Sequence, residues 1–182
     1  MNISEWKRDA AVKGKNGIAF IMAATIIWLA IAIIYAQTIP IQTKNIILFF
    51  LSAFLFPLAL GVSAIVKADW KLADNPLGML GLFLNLAQFM YFPIIFWAFM
   101  QSPKDMIIFF AIVTGAHFFP YGWFYEAKSY YIFAPIISVS IMIAGWKMEE
   151  SQLWIIPLMM IMFLFILSLL LYGDYKSKVK GN

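Results

Sequence analysis

Apolar positions in this chain come in six long blocks, at about 17–36, 45–66, 77–100, 105–125, 129–146 and 153–172. Each is close to the roughly 20 residues that a helix rising 1.5 Å per residue needs to cross a hydrocarbon core of ~30 Å. Well inside the blocks there is no Asp, Glu, Lys or Arg. Runs such as Ile46–Phe50 and Leu158–Leu171 are apolar on every side. The period-2 alternation of barrel strands is therefore excluded. The pattern predicts an all-α, polytopic membrane protein of six transmembrane helices, with residues 1–182 forming a single membrane-embedded domain.

The breaks between blocks carry helix-start chemistry. Asp74–Asn75–Pro76 sets a capping side chain ahead of a proline, and Ser102–Pro103–Lys104–Asp105 adds an acidic residue three positions after its serine. Ser129 and Ser151 are expected caps for the last two spans. Connections this short make consecutive helices antiparallel neighbours. The first block is longer than a signal-peptide core of roughly 7–15 residues and lacks a small-x-small end, so it is read as a retained helix. Ahead of it, residues 1–13 read as an interfacial helix, with Ile3, Trp6 and Ala10 on one face and Lys7, Arg8 and Lys13 towards solvent or anionic lipid. Prolines 57, 93, 120, 135 and 157 predict kinked spans.

Composition agrees with the pattern. Of 182 residues, 64% are hydrophobic and 12% charged, and the mean hydropathy is +0.86. A soluble fold would leave much of that apolar surface in water. There is no cysteine and a single histidine, which removes thiolate chemistry, disulfides and multi-histidine metal sites within one copy. No metal or other cofactor is expected. The net charge of +4 is explained by where the basic residues fall. Ten of the 13 lie at the N-terminus, in the second and fourth loops and in the C-terminal tail, and Lys44, Lys104 and Lys147 lie in the other loops. That bias puts both termini in the cytoplasm and requires an even number of spans. It accounts for the basic character without a nucleic-acid partner; the partner predicted from composition is the lipid bilayer.

Polar side chains within spans are the places to look for function. Counted along the helices, Thr25, Asn85, Gln88, His117, Ser138 and Ser140 fall at one level, ~12–17 Å from the cytoplasmic face. Asn85 and Gln88 share one helix face, as do Thr114, His117 and Tyr121 on the next helix. If those faces meet, His117 accepts a bond from an amide and keeps its second nitrogen for a ligand or water. The other reading is mutual satisfaction, as glue between helices. The segment His117–Phe133, rich in aromatic rings, suits an interfacial belt. It also suits an aromatic mouth in which Tyr121, Trp123, Tyr125 and Glu126 attract an organic cation, provided the chain unwinds at Pro120–Gly122. Small-residue pairs such as Ala59/Ser63 and Ala111/Gly115 fit close helix packing. No nucleophile elbow, zinc-protease motif or phosphate loop occurs, and the expectation is that the protein is not an enzyme.

Asn75-Pro76-Leu77-x-x-Leu80-Gly81, Asn85-x-x-Gln88-x-x-Tyr91 and Gly115-Ala116-His117-x-x-Pro120-Tyr121-Gly122-Trp123-x-Tyr125 together resemble a family of small bacterial integral membrane proteins without an assigned activity. That resemblance implies the bacterial plasma (inner) membrane and brings no activity with it. In size, helix count and termini the chain is also similar to the substrate-binding components of energy-coupling-factor transporters. Those use small-residue spacings like Ala19-x-x-x-Ala23 and Ala32-x-x-x-Ala36 to dock a partner membrane protein. Two functions remain open at this point. One is binding or moving a small-molecule ligand through a cytoplasm-facing polar and aromatic cavity. The other is a non-catalytic interaction protein (immunity, sensor or assembly factor) whose polar residues are structural.

Overall fold

A computed structural model describes residues 2–180, which form α-helices and short 3-10 turns and no strand. The helices are α1 (Ile3–Lys13), α2 (Ile18–Tyr35), α3 (Ile41–Ala53), α4 (Leu55–Val66) and α5 (Gly78–Ala87). They continue as α6 (Phe92–Gln101), α7 (Met106–Ala116), α8 (Phe119–Phe124), α9 (Lys128–Gly145) and α10 (Ile155–Lys180). Proline explains most of the breaks. Its ring crowds the carbonyl four residues earlier and its nitrogen donates no bond. Accordingly α3 ends at Ala53, four before Pro57, and α7 ends at Ala116, four before Pro120. A 3-10 turn at Gln88–Tyr91 separates α5 from α6 just ahead of Pro93. Pro135 is carried inside α9 without interruption.

Five helical stretches are long and apolar enough to cross a membrane: Lys15–Tyr35, Gly78–Gln101, Pro103–Phe124, Lys128–Gly145 and Glu150–Lys180. The pair α3–α4, bent by 42°, makes a sixth if its two arms count as one span. The expected blocks therefore all appear as helix. The last differs at its end, because the helix runs on through the lysines read as a tail.

The expected caps differ as well. Helix α5 begins after Leu77 with no side-chain cap, while Asn75 Oδ1 accepts from the Leu77 amide at 2.9 Å. Ser102 donates its hydroxyl to the Asp105 carboxylate instead of capping a backbone amide. Helix α9 follows Ala127, and Glu149, not Ser151, caps the turn before α10. Helix α1 forms over Ile3–Lys13, closed by a reciprocal cap between Asn2 and Glu5, but Lys7 is turned onto Trp123 and Glu126 and not to solvent.

Helices α2 and α10 form the centre. Ile156, Met160, Leu164, Leu167 and Leu171 repeat every three or four residues and make a fully buried seam on α10. It packs on α2, where Ile21, Trp28 and Ile31 are buried. Between surfaces this apolar, stability comes from close contact, and small residues permit it. Ala19 and Ala23 of α2 lie against Ala59 and Val62 of α4. The small-residue spacing on α2 is thus occupied inside the bundle at this point. Gly115 does the same work between α7 and α9, where an added Cβ would stand 2.5 Å from Ile137. The α5–α6 stretch is peripheral, with 6% of its apolar window buried against 56% for α2.

The residues that the charge pattern assigned to one side gather at one end. Lys15 Nζ donates to the Val66 carbonyl at 2.7 Å, and the Asp69 amide donates to the Lys13 carbonyl at 2.9 Å. Asn75 Nδ2 donates to the Trp6 carbonyl and the Asp9 carboxylate, both at 2.8 Å. Lys13 pairs with Asp9 at 3.0 Å, and that hydrogen bond raises its pKa above the ordinary lysine value. At the centre of this end is Asn16, fully buried in a left-handed turn. Its Nδ2 donates to the Leu171 carbonyl at 3.0 Å and to Asp174, while its Oδ1 accepts from Lys178 at 3.2 Å. Lys178 also donates to the Tyr125 carbonyl at 2.7 Å. The opposite end is tied by Asn45, which accepts from the Tyr35 hydroxyl and donates to the Pro103 carbonyl at 2.8 Å.

Candidate functional site

Because α5 is held to the bundle mainly through Leu77, Leu80, Gly81 and Leu84, it leaves a space beside them. A cavity of about 310 Å³ lies between α2, α4, α5, α7 and α8. Six of the eight residues singled out as ligand-binding line it or close it: Asn85, Gln88, Thr114, His117, Tyr121 and Tyr125. The i, i+3 and i, i+3, i+7 spacings did bring two helix faces to one space.

The bonding within that space is local. Asn85 Nδ2 donates to the Gly81 carbonyl of its own helix at 3.0 Å. Thr114 Oγ1 donates to the Phe110 carbonyl, again within its helix, at 2.8 Å. His117 Nε2 lies 3.4 Å from the Tyr121 hydroxyl across the α7–α8 break, with the rings edge to face. No amide from α5 bonds to His117 among the described residues. Gln88 has no side-chain hydrogen bond among them, and neither has the Tyr125 hydroxyl. Of the polar level expected along the helices, Ser138 also reaches another helix, at the Ile112 carbonyl 3.2 Å away. Thr25 bonds back to Ile21 at 2.8 Å.

One further lining residue is more informative. Ser63 of α4 is buried, and its hydroxyl has no partner among the described residues. A buried hydroxyl left without a bond costs about 1–3 kcal/mol unless something bonds to it. Sequence reasoning noted Ser63 only as half of a packing pair with Ala59. The signal that could have singled it out is that a hydroxyl stands where alanine packs equally well.

The floor is aromatic. Tyr121, Tyr125 and Tyr130 form a layered group, with Tyr125 roughly parallel to Tyr121 at 6.1 Å and to Tyr130 at 6.2 Å. Phe124 meets Tyr125 edge-on at 4.7 Å. This stack needs Gly17, whose φ of 74° suits glycine and whose Cβ, if present, would stand 2.9 Å from the Tyr125 ring. The Tyr130 hydroxyl donates to the Asn16 carbonyl at 2.8 Å, joining the floor to the polar end below it.

The expected cation cage does not form. Residues 119–124 are helical and do not unwind at Pro120–Gly122; the break comes earlier, at His117–Phe118. Trp123 and Glu126 consequently stand on a different surface from Tyr121 and Tyr125. Both are engaged by the chain's own Lys7, whose ammonium lies 4.4 Å from the Trp123 ring centre and 3.1 Å from Glu126. No cluster of three or more potential metal ligands occurs among the described residues.

Comparison with curated proteins and with solved structures gives no match. The model of one family covers residues 3–174, nearly the whole sequence, and on that match the chain belongs to the family of unknown function DUF7010.

Proposed function

We propose that this protein is a six-span, multi-pass protein of the bacterial plasma membrane that binds or moves a small molecule held in the α2–α4–α5–α7–α8 cavity. The observation that carries the reading is the state of the polar lining. Gln88 and the Ser63 hydroxyl have no partner among the described residues, and Asn85 bonds only within its own helix. Polar groups that served as glue would be bonded across helices, as Ser138 is. Ligand sites have this composition: mostly apolar walls with a few convergent polar groups, in cavities of roughly 300–1,000 Å³. The role is one of binding, with no catalytic group assigned.

The alternative interaction protein would work through an exposed small-residue groove. Ala19, Ala23 and Ala59 are instead buried against one another's helices, which favours the cavity. For topology, the clustering of the basic segments at one end supports both termini on the cytoplasmic side. Tags at both ends should be reachable only from the cytoplasm, and a terminus open to external protease would sink the six-span arrangement. For binding, a thermal-shift screen of metabolites and lipids on the detergent-purified protein is the test. At least one compound should raise the melting temperature, and Ala24→Phe, which fills the cavity, should abolish the rise. A rise that survives Ala24→Phe, or none across the screen, defeats the binding role.

A further inference from the structure

Resting on that reading of the cavity, we propose that its ligand is an uncharged amphipathic molecule that enters from the hydrocarbon side, between α4 and α5. Charge is the first discriminator. Among the described residues lining the cavity the only ionic side chain is Lys71, exposed at the rim and 5.5 Å from the ring centre of Trp70. The nearby ions are engaged with one another or with backbone: Lys178 with Asp174, Lys13 with Asp9, Lys7 with Glu126. An ionised ligand would therefore lose its hydration and find no counter-ion inside, which is the costliest kind of burial.

Neutral hydrogen-bonding groups are available. The buried Ser63 hydroxyl and the Gln88 amide lack partners among the described residues. Asn85 Oδ1 has no donor among them either, and Tyr121 and His117 are joined by a long contact of 3.4 Å. These groups donate and accept without carrying charge, and they suit a hydroxyl, carbonyl or ether on the ligand. The rest of the wall is aliphatic and aromatic, fitted to a hydrocarbon or ring body.

The rim gives the route. Phe56 on α4 and Met79 and Leu82 on α5 line the cavity and are also exposed, so apolar side chains mark its margin between those helices. At the polar end the floor is closed by the tyrosine stack and the Asn16–Lys178 contacts beneath it. The exposed residues lining that end are Trp70 and Lys71, whereas a molecule dissolved in lipid meets apolar side chains at Phe56, Met79 and Leu82.

The test uses three probes on one skeleton: 1-naphthalenemethanol, 1-naphthoate and 1-naphthylmethylammonium. Each is titrated at pH 7 into the full-length protein in mild detergent, and one-to-one adducts are counted by native mass spectrometry. The neutral probe should give a saturable adduct, with both ions weaker by roughly ten-fold or more. Asn85→Phe and Ala24→Phe, which fill the cavity from opposite walls, should each remove that adduct; using two guards against one failing to fold. If either ion binds as tightly as the alcohol and is displaced by the same substitutions, the ligand class is wrong and the cavity reading stands. If no probe gives an adduct sensitive to cavity filling, both readings fall together.

Discussion

The chain holds two groups of polar side chains in largely apolar surroundings, and they behave in opposite ways. At the basic end, Asn16, Asn75, Asp174 and Lys178 are bonded across the fold, joining segments up to 162 positions apart in sequence. In the cavity, Asn85 and Thr114 bond to their own helices, while Gln88 and Ser63 lack partners among the described residues. Asparagine occurs in both groups, so the presence of an amide does not by itself separate them. The difference lies in whether the partner comes from another element. Long-range bonds hold the fold, and local or absent bonds leave capacity for something else.

Substitutions should expose this contrast, and Asn16→Ala should have the largest effect. It removes the side-chain bonds to the Leu171 carbonyl, Asp174 and Lys178 and puts alanine at a left-handed φ of 53°, while Asp174 and Lys178 keep each other, so a loss of about 2–3 kcal/mol in unfolding free energy is expected in detergent. A loss near zero would mean that the polar end does not hold the helices. Gly17→Ala comes next. It places a side chain at φ 74° and 2.9 Å from Tyr125, and about 1–2 kcal/mol should be lost as the tyrosine stack shifts. Near-ultraviolet circular dichroism should report the change in tyrosine packing.

In the cavity the sign changes. Ser63→Ala removes a buried hydroxyl that has no partner, so the unliganded protein should gain up to about 1 kcal/mol. Destabilisation on that substitution would reveal a bond that the cavity account leaves out. Smallest of all should be Asn85→Ala, within about 0.5 kcal/mol of the parent, because the amide's only bond is to its own helix and water replaces it in an open space.

Much of this contrast is invisible in the sequence, and the reason is geometric. Helix existence was legible, since six apolar blocks permit little else, and the charge pattern foretold which segments gather at one end. That Asn85 and Gln88 share one helix face, and Thr114, His117 and Tyr121 another, followed from spacing; that both faces line one cavity did not. Position along a helix gives depth but not rotation, so the same reasoning placed Thr25 and Ser138 in one layer with them. The cation cage failed for a related reason. Proline ends the helix that precedes it, so the chain broke at His117–Phe118 and the residues after Pro120 stayed helical, turning Trp123 away from Tyr121. Nothing in the sequence singles out Asn16, which stands just ahead of the first apolar block. Its importance depends on residues beyond position 170, and no local pattern carries that.

The most direct measurement compares two variants in the same detergent: Asn16→Ala, and the triple substitution Asn85→Ala, Gln88→Ala, His117→Ala. Thermal unfolding of each, set against the parent protein, reads whether polar groups at the basic end and in the cavity do different work. The account predicts that the triple variant melts within about 2 °C of the parent while Asn16→Ala melts roughly 5–10 °C lower. A triple variant that melts as early as Asn16→Ala would contradict it, because the cavity residues would then be holding the bundle together.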